Sequence, residues 1–212
     1  MNEEKPMPVL TAPLEEAREN LRVIRQTMER STKYSTLSGL SGVLIGLAAV
    51  AGVAVSHVML ARAQALHPLE RGDYLALGPV WLLILALAVG IEFACNKRRA
   101  ASIGKRVASP LGAHILVAAG PAFFAAALLT AFLYQHGLPS FVWAAWMLCY
   151  GLAICAVGLF SIRPVSFLGA AFVLAGAVTF LLPVSAHLPM MAVAFGGFHI
   201  GYGVLMARKH GW

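Results

Sequence analysis

Acidic side chains are scarce in this chain: Asp and Glu together number 9 against 16 Lys and Arg in 212 residues. Only Glu92 lies inside an apolar run, which excludes an acidic active-site loop and a pair of membrane aspartates. The P-loop, GxSxG and HExxH patterns are missing too, and with them the phosphate cradle, the serine elbow and the zinc-binding helix. Cysteine is limited to Cys95, Cys149 and Cys155, with no CxxC, so neither a disulfide framework nor a thiolate metal site is expected. Charged residues as a whole make up 12% of the chain, too few for the surface of an ordinary soluble domain.

Apolar residues fill the gap. They account for 59% of the sequence, and the mean hydropathy is +0.77, which places the chain among membrane proteins. A hydrocarbon core of roughly 30 Å needs about 20 apolar residues of helix. Six runs of that kind follow one another at 36–60, 74–95, 111–134, 140–161, 165–184 and 188–207. The joints between the last four, "QHGLPS", "SIRPVS" and "VSAHLP", each carry a proline that stops a helix, so neighbouring spans must be antiparallel. The expected fold is all-α: residues 34–212 form a six-helix transmembrane domain, and residues 1–33 form a tail and a short amphipathic helix ahead of it.

The net charge of +7 reads as topology rather than as a nucleic-acid footprint, because the basic residues cluster at the ends of the apolar runs. Of the 16 Lys and Arg residues, all except Arg62 and Arg71 fall on the side that holds the N-terminus. The positive-inside rule then places both termini in the cytoplasm of an inner-membrane, multi-pass protein. Tyr74, Tyr134, Phe141, Trp143 and Trp146 fall near the outer interface, where amphipathic rings are enriched. The polar first 33 residues contain no short apolar segment of the signal-peptide kind, so the first span is expected to serve as the anchor.

Within the N-terminal segment, Leu14, Leu21, Ile24 and Met28 share one helical stripe among charged neighbours. This stripe offers a surface for the bilayer interface, a cytosolic protein partner or a second copy of the chain. In the spans, Gly42 and Gly46 form GxxxG on the first helix, a pattern that permits close backbone contact. In the last helix, Gly196, His199 and Gly203 share one face while Gly197 and Gly201 form a GxxxG on another, so two packing faces are expected there.

Three ionisable residues stand out because a charge in hydrocarbon costs several kcal/mol, roughly, unless paired, neutralised or hydrated. Glu92 lies five residues before Lys97, about 7 Å deep at ~1.5 Å per residue, and can either reach the basic loop or serve a proton, ion or substrate. His114 and His199 lie at similar depth. They can each bond a neighbouring carbonyl or hydroxyl, hold haem or a metal between them, or pass a proton. His114 is the first partner expected for His199. The outer histidines His57, His67, His136 and His187 show no metal spacing.

The segments "ENLRVIRQTMERS", "GLSGVLIGLAAVAG", "GLFSIRPVSFLGAAFVLAGA" and "GFHIGYGVLMARKHG" together resemble a group of bacterial integral membrane proteins without an assigned activity. That resemblance implies a six-span bacterial membrane protein and nothing catalytic. The leading expectation is therefore a non-enzymatic signalling or partner-binding component of the membrane, with no cofactor. The alternative is a small transporter or proton-coupled carrier using Glu92, His114 and His199. A haem or quinone redox protein comes third.

Overall fold

The structure, a computed structural model, describes residues 15–22, 39–102, 110–159 and 161–210. It is helical throughout its long elements, and six of these are long and apolar enough to cross a membrane. They are α1 (Gly39–Gln64), α2 (Gly78–Ser102), α3 (Pro110–Gln135), α4 (Val142–Gly158), α5 (Arg163–Leu181) and α6. The last is built from an α segment, His187–Met191, a π segment, Ala192–Phe198, and a second α segment, His199–His210. A short helix, Arg71–Leu75, leads into α2. Every expected span is present as a helix. The main shifts are at the second, which runs on to Ser102, the first, which runs on to Gln64, and the fourth, which stops at Gly158 because Ser161 N–H turns back to the Gly158 carbonyl at 3.2 Å.

Small residues set the packing. Lipid gives helices little hydrophobic reason to associate, so close backbone contact and dispersion supply the attraction. On α1 the buried positions Gly39, Gly42, Gly46, Ala49, Gly52 and Ser56 recur every three or four residues and form one smooth face. That face meets α6. A Cβ on Gly42 would lie 2.9 Å from Gly203 Cα and 3.0 Å from the His199 carbonyl oxygen, and one on Gly46 would lie 2.7 Å from the Gly196 carbonyl oxygen. The α4–α5 hairpin uses the same device: a Cβ on Gly169 would sit 2.6 Å from Cys155 N, and one on Gly176 would sit 2.6 Å from Leu148 N.

Polar contacts fix the ends. The α3–α4 turn is a Schellman closure, with Gly137 at φ 72°, Gly137 N–H on the Tyr134 carbonyl at 3.4 Å and Leu138 N–H on the Leu133 carbonyl at 2.8 Å. At the same end Tyr134 donates to the Tyr74 carbonyl at 3.0 Å, and Arg71 reaches the Gln135 carbonyl at 3.4 Å. His187, expected in an outer loop, is fully buried, with its ring nitrogens 3.0 Å and 3.1 Å from the carbonyls of Ser140 and Leu182. Trp143 also departs from the interfacial belt. It is buried against Trp81, ring centroids 5.5 Å apart, in a core with Leu77, Met147, Phe172 and Met191.

Burial is uneven across the bundle. Half of the α4 window is buried, whereas the figures for the spans containing α2 and α3 are 6% and 11%. Those two helices lie along the edges, α2 packed chiefly on α1 and α3 chiefly on α4.

Candidate functional site

His199 and Tyr150 form a hydrogen-bonded pair inside the bundle. The His199 ring is 5% exposed and makes two hydrogen bonds, through Nδ1 to the Phe195 carbonyl at 2.9 Å and through Nε2 to the Tyr150 hydroxyl at 2.8 Å. A carbonyl oxygen can only accept, so the ring proton sits on Nδ1. Nε2 is then the acceptor and Tyr150 the donor, which makes a neutral pair with every proton assigned. The π segment ends one residue before His199. His199 N–H turns to the Gly196 carbonyl, three residues back, while its side chain takes the Phe195 carbonyl four residues back. The wider π turns of Ala192–Phe198 are of a kind that recurs at functional sites in helices.

Aromatic rings enclose the pair. Phe172 on α5 lies 4.8 Å from the Tyr150 ring and 5.3 Å from the His199 ring, Phe195 lies 5.0 Å from Tyr150, and Phe123 on α3 approaches Tyr150 at 6.3 Å. From the far side, Gly42 of α1 lets its backbone come up against the His199 carbonyl. The environment is therefore apolar and firmly packed, which strengthens each hydrogen bond inside it.

Glu92 stands on α2. It is half-buried and continues the inward stripe of α2, Leu77, Trp81, Ile84, Ala88 and Cys95, at helical spacing. The opposite side of α2 carries an open apolar groove along Leu83, Ala86, Leu87 and Gly90, so Glu92 points away from that surface. Counted by the rise of about 1.5 Å per residue, Glu92 and Tyr202 stand roughly 7–9 Å inward of Lys97 and Arg208, and His199 about 13 Å inward. The polar groups thus run from shallow to deep.

Among the residues singled out from sequence, His199 is buried where α6 meets α1, and Glu92 is half-buried on α2. The side chain of His114 lies outside the described residues. The partner of His199 is Tyr150 instead of the expected His114, and with both ring nitrogens engaged, ligation of haem or a metal by His199 would require breaking the Tyr150 bond. No three His, Cys, Asp or Glu side chains converge among the described residues as a metal site would need. Gly42, Gly46, Gly196 and Gly203 lie in the α1–α6 contact. Gly197 and Gly201 do not form the expected second packing face. Both are exposed, and a Cβ on either would meet nothing within 4 Å, because α6 has neighbours on one side only at that level. Residues 15–22 are helical and exposed, with Leu21 at 66%; Leu14, Ile24 and Met28 lie outside the described residues.

Tyr150 and Tyr202 were not legible as site residues. The available signal was position: both lie well inside apolar runs, whereas membrane tyrosines concentrate at interfaces. No protein-family model, curated protein or solved structure matches the chain.

Proposed function

We propose that this protein is a small proton-coupled carrier of the inner membrane, with both termini and the basic loops on the cytoplasmic side. The observation that carries the reading is the buried Tyr150–His199 hydrogen bond, a phenol and an imidazole deep in the bundle, with the acid Glu92 at shallower depth on α2. Ionisable groups are costly in hydrocarbon, and a graded series of them fits a path for protons. The lightly buried α2 and α3 are the elements that can shift against the packed α1, α4, α5 and α6 unit, and Glu92 rides on α2. Protonation of Glu92 would lower the cost of moving it past the apolar core, which ties helix position to proton occupancy.

The test uses proteoliposomes with an entrapped pH-sensitive dye, challenged with a panel of small amines, carboxylates and amino acids. A solute that drives an interior pH change with wild-type protein should lose that response in Glu92→Gln and show it at least tenfold slower in His199→Gln. A response that persists at wild-type rate in both variants refutes the reading.

A second reading, a signalling or partner-binding component, is favoured by one observation, the 66% exposure of Leu21 on the charged N-terminal helix. It expects Leu21→Asp to abolish co-purification of a cytosolic partner while the bundle still inserts; unchanged co-purification counts against it.

A further inference from the structure

The short helix Arg71–Leu75 has five residues, too few to hold its shape alone, since isolated helices of fewer than about 12–15 residues are marginal in water. Contacts on two sides hold it instead. Asp73 accepts from the Glu70 N–H at 2.7 Å and returns its own N–H to the Glu70 carbonyl at 3.2 Å, which closes the first turn. On the other side Arg71 donates to the Gln135 carbonyl at 3.4 Å and the Tyr74 carbonyl accepts from the Tyr134 hydroxyl at 3.0 Å, so two bonds reach the end of α3. The helix also runs directly into α2, with Leu77 N–H on the Tyr74 carbonyl and Trp81 N–H on the Leu77 carbonyl, both at 3.1 Å. It is thus a link between the two spans that are least buried in the bundle.

His67 stands beside the acid that closes this helix. Its Nδ1 lies 2.9 Å from the Pro68 carbonyl, which fixes the ring proton there, and 3.8 Å from Asp73 Oδ2. A second proton then enters at Nε2 and sets a cation against the Asp73 carboxylate, whose side chain is only 17% exposed. Glu70 adds a second negative charge nearby. The other charged and titratable groups of the packed elements are turned elsewhere: Arg71 to the Gln135 carbonyl, and His136 to the Phe132 carbonyl at 2.9 Å with its ring stacked on Phe132. On α1, His57 and Arg62 are exposed. The phenols of Tyr74 and Tyr134 keep their protons throughout the range in which an imidazole changes charge. We propose that the Arg71–Leu75 helix is a proton-tightened clasp: protonated His67 holds Asp73 in its capping position, and the capped helix ties the end of α3 to α2. His67 titrates above its ordinary value of 6.5, first through its bond to the Pro68 carbonyl and further through Asp73 and Glu70. The clasp is therefore fully tight below about 6.5 and loosens as pH rises through the folded value. It stands on these contacts alone. Its use rests on the carrier reading, in which the clasp faces the outside, an acidic exterior holds the two edge helices together, and a neutral one frees α2 to shift.

Amide hydrogen exchange of the full chain in lipid nanodiscs tests the clasp, with rates corrected for the intrinsic effect of pH. The comparison is between about pH 5.5 and about pH 8.5, on either side of the imidazole range. Peptides that cover residues 66–77 should exchange more slowly at the lower pH by roughly 1.5- to 5-fold, the range expected of a surface ion pair. Residues 133–138 at the end of α3 should follow the same trend. Both differences should vanish in His67→Gln and in Asp73→Asn, while Arg71→Gln should keep the first and shrink the second. Equal protection at both pH values in the wild-type protein, or a difference that survives in His67→Gln, overturns the proposal; a response confined to residues 66–77 overturns the link to α3. The readout does not involve transport. If Glu92→Gln leaves dye-reported proton movement intact, the carrier reading falls and the clasp stands; if wild-type exchange is indifferent to pH, the reverse holds.

Discussion

Substituting Gly46 by Ala tests the α1–α6 contact on which the position of His199 depends. The added Cβ would lie 2.7 Å from the Gly196 carbonyl oxygen, 3.0 Å from Ile200 N and 2.6 Å from Ile200 Cγ1. The last of these can swing away. The first two are backbone atoms of a packed helix, so the helices themselves must separate by several tenths of an ångström along the seam. Overpacking of this kind costs about 1–3 kcal/mol. Against it stands the helix propensity gained when Ala replaces Gly, up to about 1 kcal/mol. The net expectation is a loss of about 1–2 kcal/mol, or a fall of roughly 2–8 °C in the unfolding midpoint at this chain length. Gly201→Ala supplies the control on the same pair of helices. Nothing lies within 4 Å of its Cβ, so the propensity gain acts unopposed and the midpoint should hold or rise. The assay is thermal unfolding of both variants in one detergent, followed by size-exclusion chromatography to confirm that each remains monodisperse. A Gly46→Ala protein as stable as wild type, or a Gly201→Ala protein as damaged as Gly46→Ala, would refute the assignment of this seam.

Two further outcomes follow from polar contacts. Tyr150→Phe removes the donor to His199 Nε2 and leaves a buried acceptor unmade, so stability should fall by about 1–3 kcal/mol, with Tyr134→Phe at the lipid-edge contact falling less; equal losses would show that the interior pair has no special environment. His67 titrates above its ordinary value of 6.5, first because its ring donates to the Pro68 carbonyl and then because Asp73 and Glu70 lie nearby. Since the folded value is the raised one, the stabilisation is fully present below about 6.5 and fades as pH rises through the folded value. Proton-detected titration of the His67 ring should give that raised midpoint, and Asp73→Asn should lower it; a midpoint at or below 6.5 in the wild-type protein contradicts the geometry.

The six spans were legible because the bilayer imposes a length and an apolar composition that a sequence cannot hide. The prolines and glycines at the joints marked the ends well, as Gly137 shows by closing α3 in a left-handed turn. The face of α1 was legible for a related reason: Gly42 and Gly46 stand four residues apart, and close approach needs small residues at that spacing. The same rule failed at Gly197 and Gly201. A GxxxG states that a backbone can be approached, and whether a neighbour is there depends on the arrangement of all six helices. Trp143 failed in the opposite sense, since an indole with apolar neighbours serves equally at an interface or in a core, and Trp81 decides the matter from another helix.

The polar cluster depends most heavily on information that lies between helices. Depth along each helix is local and can be counted from the basic ends, which is why Glu92 and His199 stood out. Rotation about each helix axis is not local. His114 was the partner expected for His199 by depth, and the hydrogen bond goes to Tyr150 because the α4–α5 hairpin presents Tyr150 and Phe172 together to α6. The glycines carry that rotation. Gly151 and Gly176 bring α4 and α5 into backbone contact, and Gly42 and Gly203 do the same for α1 and α6, so the ring of His199 is held between two rigid seams. In the edge helix α2, by contrast, Gly90 has nothing near its Cβ position, and the helix that bears Glu92 is the one least tied to its neighbours. The chain thus places His199 and Tyr150 in its packed half and Glu92 on its lightly buried edge helix.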